Sequence, residues 1–300
     1  MEDQTYVDVL TGSQVARTGG MFARIGAAAG ATHAECVFFP GCSIVNFAPE
    51  LLDGVYRLLR EHGVADGISF LCCGKLLAFE PEAETVIPAF RRQFACALAE
   101  RGVRRIVTAC PNCTAELRTL IEREGVADVE VVVLPQLLAE LGVSVGEEDA
   151  ARFLAESGVA CAGRAPRLAV HDSCPDRKTG EFARGVRALL PEGLLVEMEH
   201  NHASSRCCGS LAKAAGKDEL ATRQAVERGE EGRAAGADAL VTVCMSCASQ
   251  LSFFQESLPV FHYLEILLRR RIDWKNLPPY LSVRFLFEPH EGRRAFEGLT

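Results

Sequence analysis

Ten of the thirteen cysteines in this 300-residue chain fall into two copies of one pattern. Each copy has a single cysteine, then a Cys-Cys-Gly triplet, and then a Cys-x-x-Cys pair. The two copies are Cys42, Cys72, Cys73, Cys110 and Cys113, and Cys174, Cys207, Cys208, Cys244 and Cys247. The gaps nearly match, with 29 and 32 residues before the triplets and 36 and 35 between the adjacent cysteines and the Cys-x-x-Cys pairs. This repeat predicts two metal sites with five thiolate ligands each on a duplicated scaffold.

The number of thiols in each copy favours a multi-iron cluster over a single zinc ion. Structural zinc takes four ligands in a tetrahedron, so a set of five exceeds what it needs. Adjacent thiols such as Cys72 and Cys73 fit one zinc awkwardly, whereas in a cluster they can reach different irons. Because soft thiolates select iron–sulfur, zinc or copper(I) in general, one cluster plus one zinc stays an alternative.

The three cysteines outside the pattern are expected to be non-ligands. Cys36 lies six residues before Cys42 on one extended segment, about 20 Å away at ~3.3 Å per residue, and is assigned to the core. Cys96 lies inside a predicted helix and is assigned to packing. Cys161 is expected to be an exposed thiol without a function.

Several polar residues near the cysteines have two interpretations. His171, followed by Asp172, precedes Cys174 and is either a proton or hydrogen-bond donor beside the cluster or a loop-ordering residue at a strand end. It is the one candidate catalytic residue. His200 and His202 precede the second Cys-Cys pair; they could bind metal, but a solvated polar loop is the expectation.

Charged and aromatic residues close to the pairs complete the candidates. Lys75 and Arg206 flank the two Cys-Cys pairs, where positive charge would offset cluster charge and raise its potential; surface solvation is the equal alternative. His262 opens the last helix of the second copy, and either points at the site or caps the helix.

The cysteines follow short apolar runs that read as strands, and predicted helices separate those runs. Strands alternating with helices imply a parallel sheet with right-handed crossovers. The cysteines then lie at the carboxyl edge of each sheet, where open parallel sheets bind ligands. The same loops lead into helix N-termini, whose free N–H groups favour thiolates. The predicted strands end at Phe39, Leu71, Thr108, Val133, Val170, Val243 and Phe261.

In this pattern the chain resembles the CCG (cysteine-rich) domain family over roughly residues 36–268. Tandem copies occur in the B subunit of heterodisulfide reductase and in related iron–sulfur subunits of glycolate oxidase, anaerobic glycerol-3-phosphate dehydrogenase and lactate-utilisation systems. The resemblance implies two tandem Rossmann-like CCG domains whose parallel sheets are related by a pseudo-twofold axis. It also implies a non-cubane [4Fe-4S] cluster on each five-cysteine set, with zinc in the first set as the alternative known from some relatives.

The resemblance also implies a function. The chain would be an iron–sulfur subunit of a cytoplasmic oxidoreductase complex that reduces a disulfide, or oxidises thiols, between two clusters, each supplying one electron to one sulfur. Its partners would be a flavin- or ferredoxin-type redox subunit and a small thiol or disulfide substrate. The alternatives are a non-catalytic electron relay from a flavoprotein dehydrogenase to a carrier or quinone, and a zinc-binding assembly or scaffold protein.

Composition shifts along the chain predict its domain boundaries. A Gly/Ala-rich arm comes first, and a tail with alternating aromatic residues from Tyr280 to Phe287 comes last, as a short strand or a partner-docking segment. The predicted segments are the arm at 1–33, the first domain at 34–145, a linker at 146–166, the second domain at 167–271 and the tail at 272–300.

Bulk properties exclude several function classes. The net charge of −8, without a block of like charges, makes nucleic acid an unexpected partner. No apolar run approaches the ~20 residues of a membrane span, and the acidic N-terminus carries no signal segment, so a cytoplasmic location is expected. Dense cysteine in a reducing compartment indicates metal or redox chemistry. The sequence contains neither a ferredoxin cysteine run nor a dinucleotide-binding GxGxxG motif.

Overall fold

A computed structural model describes residues 5–18, 21–29, 32–79, 81–161 and 163–277. Within this range the chain divides into two compact units, one formed by the residues up to Val132 and the other by Val133–Leu277. Each unit combines helices with a mostly parallel sheet. The predicted α/β class with two Rossmann-like domains is therefore confirmed.

The first unit contains a seven-stranded sheet in the order β3-β2-β1-β5-β4-β6-β7. Strands β1, β5, β4 and β6 pair in parallel, whereas β1, β2 and β3 form an antiparallel meander at one edge. The strands are β1 (Thr5–Asp8), β2 (Ser13–Thr18), β3 (Met21–Ala27), β4 (Cys36–Phe39), β5 (Gly67–Ile68), β6 (Arg105–Thr108) and β7 (Glu130–Val133). The helices are α1 (Cys42–Phe47), α2 (Pro49–Glu61), α3 (Ala83–Glu100) and α4 (Pro111–Glu124).

The second unit contains a four-stranded sheet in the order β11-β10-β8-β9, and every pairing in it is parallel. Its strands are β8 (Leu168–His171), β9 (Leu195–Val196), β10 (Ala239–Thr242) and β11 (Val260–His262). Its helices are α5 (Leu134–Glu140), α6 (Glu147–Glu156), α7 (Glu181–Leu189), α8 (Ser210–Ala214), α9 (Asp218–Ala234), α10 (Met245–Phe254) and α11 (Tyr263–Leu268).

The two sheets repeat one topology. The order β5-β4-β6-β7 in the first unit matches β9-β8-β10-β11 in the second. In each sheet the strand that comes first in the repeat, β4 or β8, lies between the next two strands of the chain. The strand order therefore reverses between β4 and β6 and between β8 and β10. In open α/β sheets this switch point forms the ligand-binding crevice.

Local sequence explains why these elements form. Strand β4 is buried from Val37 to Phe39, as expected for a parallel strand covered on both faces. Helices α2 and α4 begin with Pro49 and Pro111, which suit the first helical turn because proline lacks the N–H that would be unpaired there. Helix α4 ends at Gly125, whose φ of 62° is the left-handed conformation that favours glycine at a helix end.

The segment 1–33, predicted to be an arm, instead supplies the three strands of the antiparallel meander. Its apolar side chains pack onto the first unit: Tyr6 and Phe22 are buried, and both rings contact Phe70. The alternating pattern of these strands is hard to recognise in the sequence because glycines and alanines interrupt the apolar residues.

The predicted linker and tail also contain packed structure. Helix α6 lies within 146–166, and its Phe153 meets Phe261 edge-on at 6.0 Å between ring centroids. Helix α5, predicted to close the first domain, packs in the second unit against α7. In the tail, buried Trp274 donates its indole N–H to Glu265 at 3.0 Å. The aromatic segment Tyr280–Phe287 lies outside the described residues.

None of the helices in the described part of the chain combines the length and hydropathy that a membrane crossing requires.

Candidate functional site

The first cysteine set lies where strands of the first sheet end and helices begin. Cys42 is the first residue of α1, just after β4. Cys110 caps the N-terminus of α4, so Cys113 lies in its first turn. Cys72 and Cys73 follow β5, and all five side chains are buried. Their position beside helix N-termini favours thiolates, because the unpaired N–H groups and the helix dipole attract negative charge.

The five sulfurs of this set contact one another in a continuous series. Cys72 lies within hydrogen-bonding distance of Cys42 and Cys73, Cys73 within that of Cys113, and Cys113 within that of Cys110. The Cys113 and Cys72 thiols donate to Cys73 and lower its pKa to about 6. Residues up to 71 positions apart in the sequence are thus brought to one buried spot.

The second set repeats the series in the same order. Cys174 contacts Cys207, Cys207 contacts Cys208, Cys208 contacts Cys247 and Cys247 contacts Cys244. The Cys208 and Cys247 sulfurs are 3.2 Å apart. Hydrogen bonds from the thiols of Cys174 and Cys208 lower the pKa of Cys207 to about 2.

Glycines shape the cysteine loops of both sets. Gly41 has a φ of 82°, and a Cβ there would lie 2.9 Å from the Cys113 sulfur. Gly74 and Gly209 follow the Cys-Cys pairs with φ values of 81° and 96°, and each donates its N–H to the first sulfur of its pair. Because left-handed backbone is costly for other residues, these glycines hold the loops in the conformation that gathers the thiols.

The donor sets fit a cluster with several metal atoms. Five sulfurs in series exceed the four donors that a tetrahedral zinc ion takes, and soft thiolates are the ligands that iron–sulfur clusters use. The assignment of these ten cysteines as ligands, and of zinc to the first set as the alternative, stays a prediction.

In the structure, His171 lies at the second cysteine set. It ends β8, is fully buried, and offers a ring nitrogen within 4.8 Å of the Cys208 and Cys247 sulfurs. Its Nδ1 accepts a hydrogen bond of 3.2 Å from Arg228 Nε, while its Nε2 has no hydrogen-bond partner among the described residues. Burial first, and then the Arg228 charge, lower the pKa of His171 to about 3, so the ring is neutral.

Arg228, which the sequence did not single out, anchors a buried polar network behind His171. It is fully buried in α9 and donates to Glu231 and to the His200 carbonyl at 2.5 and 3.1 Å. Glu231 also accepts from the His200 N–H. The one signal in the sequence was an arginine within an otherwise small-residue face of a helix.

Two aspartates hold the cysteine loops: Asp8, which the sequence did not single out, and Asp172, which follows His171. Asp8 in β1 accepts hydrogen bonds from the backbone N–H groups of Phe70, Leu10 and Thr11, so the N-terminal strands brace the loop that carries Cys72. Burial raises the pKa of the Asp8 carboxyl.

In the second unit, Asp172 braces the corresponding loop. It forms a two-point ion pair with Arg187 at 2.8 and 3.0 Å and accepts the His202 N–H at 2.7 Å. The Ser205 hydroxyl donates to the Asp172 carbonyl. Asp172 therefore orders the loop that leads to Cys207.

The other predicted candidates lie in structural or surface positions. Lys75 pairs with Glu116 at 2.7 Å. Arg206 is exposed and contacts His200, and His202 is exposed in the same loop. His262 caps α11 by accepting the Leu264 N–H, while its Nε2 has no partner in the described part of the chain.

The three remaining cysteines lie apart from the two sulfur series. Cys36 is half-buried in β4, and burial raises the pKa of its thiol to about 11. Cys161 is half-buried, with its sulfur 3.6 Å from the Val159 carbonyl oxygen. Cys96 is exposed on α3, which differs from the predicted packing role because it lies on the outer face of that helix.

A cavity of about 230 Å³ borders the first set. It opens beside Cys73 and Gly74 and is lined by apolar Phe90 and by the Lys75–Glu116 ion pair. The first set is thus reached from a cleft with both apolar and charged walls.

Comparison with curated proteins found a relative among reductase subunits. The chain is 29% identical over 245 residues to the B subunit of the fumarate reductase (CoM/CoB) of Methanothermobacter marburgensis, covering 77% of this chain and 45% of that protein. The chain therefore spans about half the length of the curated relative it matches.

Among solved structures, the similarities are weak. Glutamate racemase isoform RacE1 from Bacillus anthracis has a TM-score of 0.36 at 13% identity and covers 77% of both chains. A hypothetical protein from Helicobacter pylori has a TM-score of 0.42 at 10% identity, covering 80% of this chain and 51% of its own. We draw no conclusion about fold or activity from these scores.

One protein-family model matches both copies of the cysteine pattern. The cysteine-rich domain (CCG) aligns with residues 36–118 and again with residues 168–252, which together make up more than half of the chain. Each match contains one complete set of five cysteines, and each lies on one of the two repeated sheets. The chain belongs to the cysteine-rich CCG domain family, with two tandem copies of the domain.

Proposed function

We propose that the chain is an iron–sulfur redox subunit that holds a [4Fe-4S] cluster of the non-cubane type on each five-cysteine set. One observation carries the proposal: both sets join five sulfurs in the same order at the same edge of two repeated sheets. Such clusters, when bound, supply and accept single electrons. Similarity to a reductase subunit supports the redox assignment.

The residues of the chain have distinct tasks in this proposal. The ten cysteines would hold the clusters as thiolates, aided by the free N–H groups at the starts of α1, α4 and α10. Burial of the five cysteines of the first set excludes water, which keeps hydrogen bonds to their sulfurs strong. Gly41 leaves the space beside Cys113, and Asp8 and Asp172 hold the loops in register.

The reaction that we propose is reduction of a disulfide, or its reverse. A disulfide takes up two electrons and two protons to give two thiols, so two one-electron centres match its demand. The relative's name refers to CoM/CoB, which supports a small thiol or disulfide substrate. Electrons would come from a flavin- or ferredoxin-type partner subunit, since the sequence has no flavin, nicotinamide or ferredoxin motif.

Reoxidation of the reduced protein tests this reaction. Protein purified without oxygen and reduced with dithionite is freed of excess reductant and mixed with an asymmetric disulfide. We expect two thiols per disulfide to appear while the paramagnetic signals of the reduced centres disappear. Cys247→Ala, which lacks one ligand of the second set, is the matched control and should release less than a tenth of the thiol. Rapid reoxidation by a quinone or viologen, without thiol release from the disulfide, would instead identify an electron relay.

A further inference from the structure

The two repeats differ at two equivalent positions near the cysteines. Phe39 and His171 each lie three residues before the single cysteine of their repeat and end their strands opposite Thr108 and Thr242. The second position lies 16 residues before each Cys-x-x-Cys pair, on the long helix that precedes it. It is Phe94 in the first repeat and Arg228 in the second.

In the first repeat this pair is apolar. Phe39 and Phe94 are fully buried, and their ring centroids are 6.0 Å apart. Both belong to a hydrophobic cluster that includes Cys73, Cys110 and Cys113. These two side chains offer no hydrogen-bond donor to the sulfurs.

In the second repeat the pair is polar and its hydrogen bonds fix one tautomer of the histidine. A guanidinium group only donates, so the 3.2 Å contact from Arg228 Nε occupies the lone pair of His171 Nδ1. Because Nδ1 accepts this hydrogen bond, the ring proton lies on Nε2. That nitrogen is buried, has no hydrogen-bond partner among the described residues, and belongs to a ring that lies beside the Cys208 and Cys247 sulfurs.

Nearby carboxylates complete the charge distribution around this pair. Glu231 accepts from Arg228 at 2.5 Å and from the His200 N–H at 2.6 Å, so it offsets the arginine charge on the side away from His171. Asp172, next to His171, is paired with Arg187. The Nε2–H group of His171 is therefore a donor without an acceptor among the described residues, on a ring beside the two sulfurs.

We propose that His171 donates this hydrogen bond to the second cluster, with Arg228 as the positioning residue, and that the second cluster is consequently easier to reduce than the first. The inference rests on the proposed function, since it concerns clusters on both sets. Hydrogen bonds to cluster sulfurs stabilise the more negative, reduced form and so raise its potential. The first electron to enter the protein would then reside on the second cluster.

Proteins with one cluster allow each centre to be measured alone. Cys113→Ala is expected to keep only the second cluster, and Cys247→Ala only the first. Both sets receive a backbone N–H, from Gly74 and from Gly209. In H2O and D2O, proton ENDOR should detect one further strongly coupled exchangeable proton at the second cluster that has no counterpart at the first. His171→Phe, which copies the first repeat, should abolish that coupling. It should also shift the one-electron reduction equilibrium of the second cluster at least tenfold toward the oxidised form, about 59 mV.

Two further variants separate this role from a merely structural one. Arg228→Lys keeps a positive charge but loses the Nε–H group, so it should weaken the ENDOR coupling of the His171 proton. Phe94→Met is the matched change in the first repeat. It should change the one-electron reduction equilibrium of either cluster by less than threefold. An equal potential for the two clusters, or a second cluster without an exchangeable coupling in the parent protein, would overturn the inference and leave the proposed function standing. Absence of iron–sulfur signals from the parent protein would overturn both.

Discussion

Single glycines decide whether the sulfurs can meet. Gly209, directly after Cys208, has a φ of 96°, and a Cβ there would lie 2.4 Å from the Ala221 carbonyl oxygen and 2.9 Å from its Cα. Gly216 has a φ of 70° but nothing within 4 Å of such a Cβ. The two positions share the backbone conformation and differ only in space, which makes them a matched pair.

We therefore expect Gly209→Ala to destabilise the second unit more than Gly216→Ala does. Both variants incur about 1–2 kcal/mol for a left-handed non-glycine residue, and Gly209→Ala adds about 1–3 kcal/mol of steric strain. Urea denaturation of the metal-free protein measures the difference. Equal losses at both positions would mean that the backbone of α9 yields and that the close approach has no structural role.

At this scale the sequence predicted which cysteines come together but not what surrounds them. The ten cysteines were recognisable because two copies of one spacing cannot be explained by packing alone. The role of Arg228 was not recognisable in the sequence, because its partner His171 comes from a separate strand and its partner Glu231 from the next turn of the same helix. Asp8 was missed for the same reason: it acts on Phe70, 62 residues away.

Strand β1 links the N-terminal meander to the cysteine loop of the first unit. Its Asp8 accepts the Phe70 N–H at 2.7 Å, two residues before Cys72, and also accepts the N–H groups of its own turn at Leu10 and Thr11. Removing this carboxylate leaves several buried donors unpaired, each at a cost of about 1–3 kcal/mol.

Asp8→Ala should accordingly lower the stability of the first unit by at least that amount and reduce metal occupancy of the first set while the second set keeps its own. Glu130→Ala is the control, because it removes an exposed carboxylate that pairs with Arg105 and should change stability by less than about 0.5 kcal/mol. Metal analysis in the Cys247→Ala background isolates the first set. Full occupancy there with Asp8→Ala would contradict the bracing role.

Most regular elements were predictable because their signals are local. The parallel strands are short and largely buried, and proline or a cysteine loop marks the start of helices α1, α2, α4, α5, α8 and α10. The meander of β1–β3 was not predicted, since its strands become stable only by pairing with β5 and covering Phe70. Helix α5 was predicted as an element but assigned to the wrong neighbour, because its partner α7 follows almost fifty residues later in the chain.

The whole molecule contains two compact units, each with a complete set of thiols. Because every contact within a sulfur series lies inside one unit, loss of one ligand should affect one centre alone. We expect Cys113→Ala and Cys247→Ala each to halve the iron content, and the double variant to contain none. Cys96→Ala and Cys161→Ala, outside both series, should match the parent protein. Loss of all iron from either single variant would show that the two centres assemble together rather than independently.

The central claim is that both five-cysteine sets hold iron–sulfur clusters. The most direct test is analysis of iron, acid-labile sulfide and zinc in the full chain purified without oxygen. With a four-iron cluster on each set, we predict about eight irons with matching sulfide and no stoichiometric zinc. About four irons with one zinc would reassign the first set, whereas zinc at both sites without labile sulfide would contradict the account.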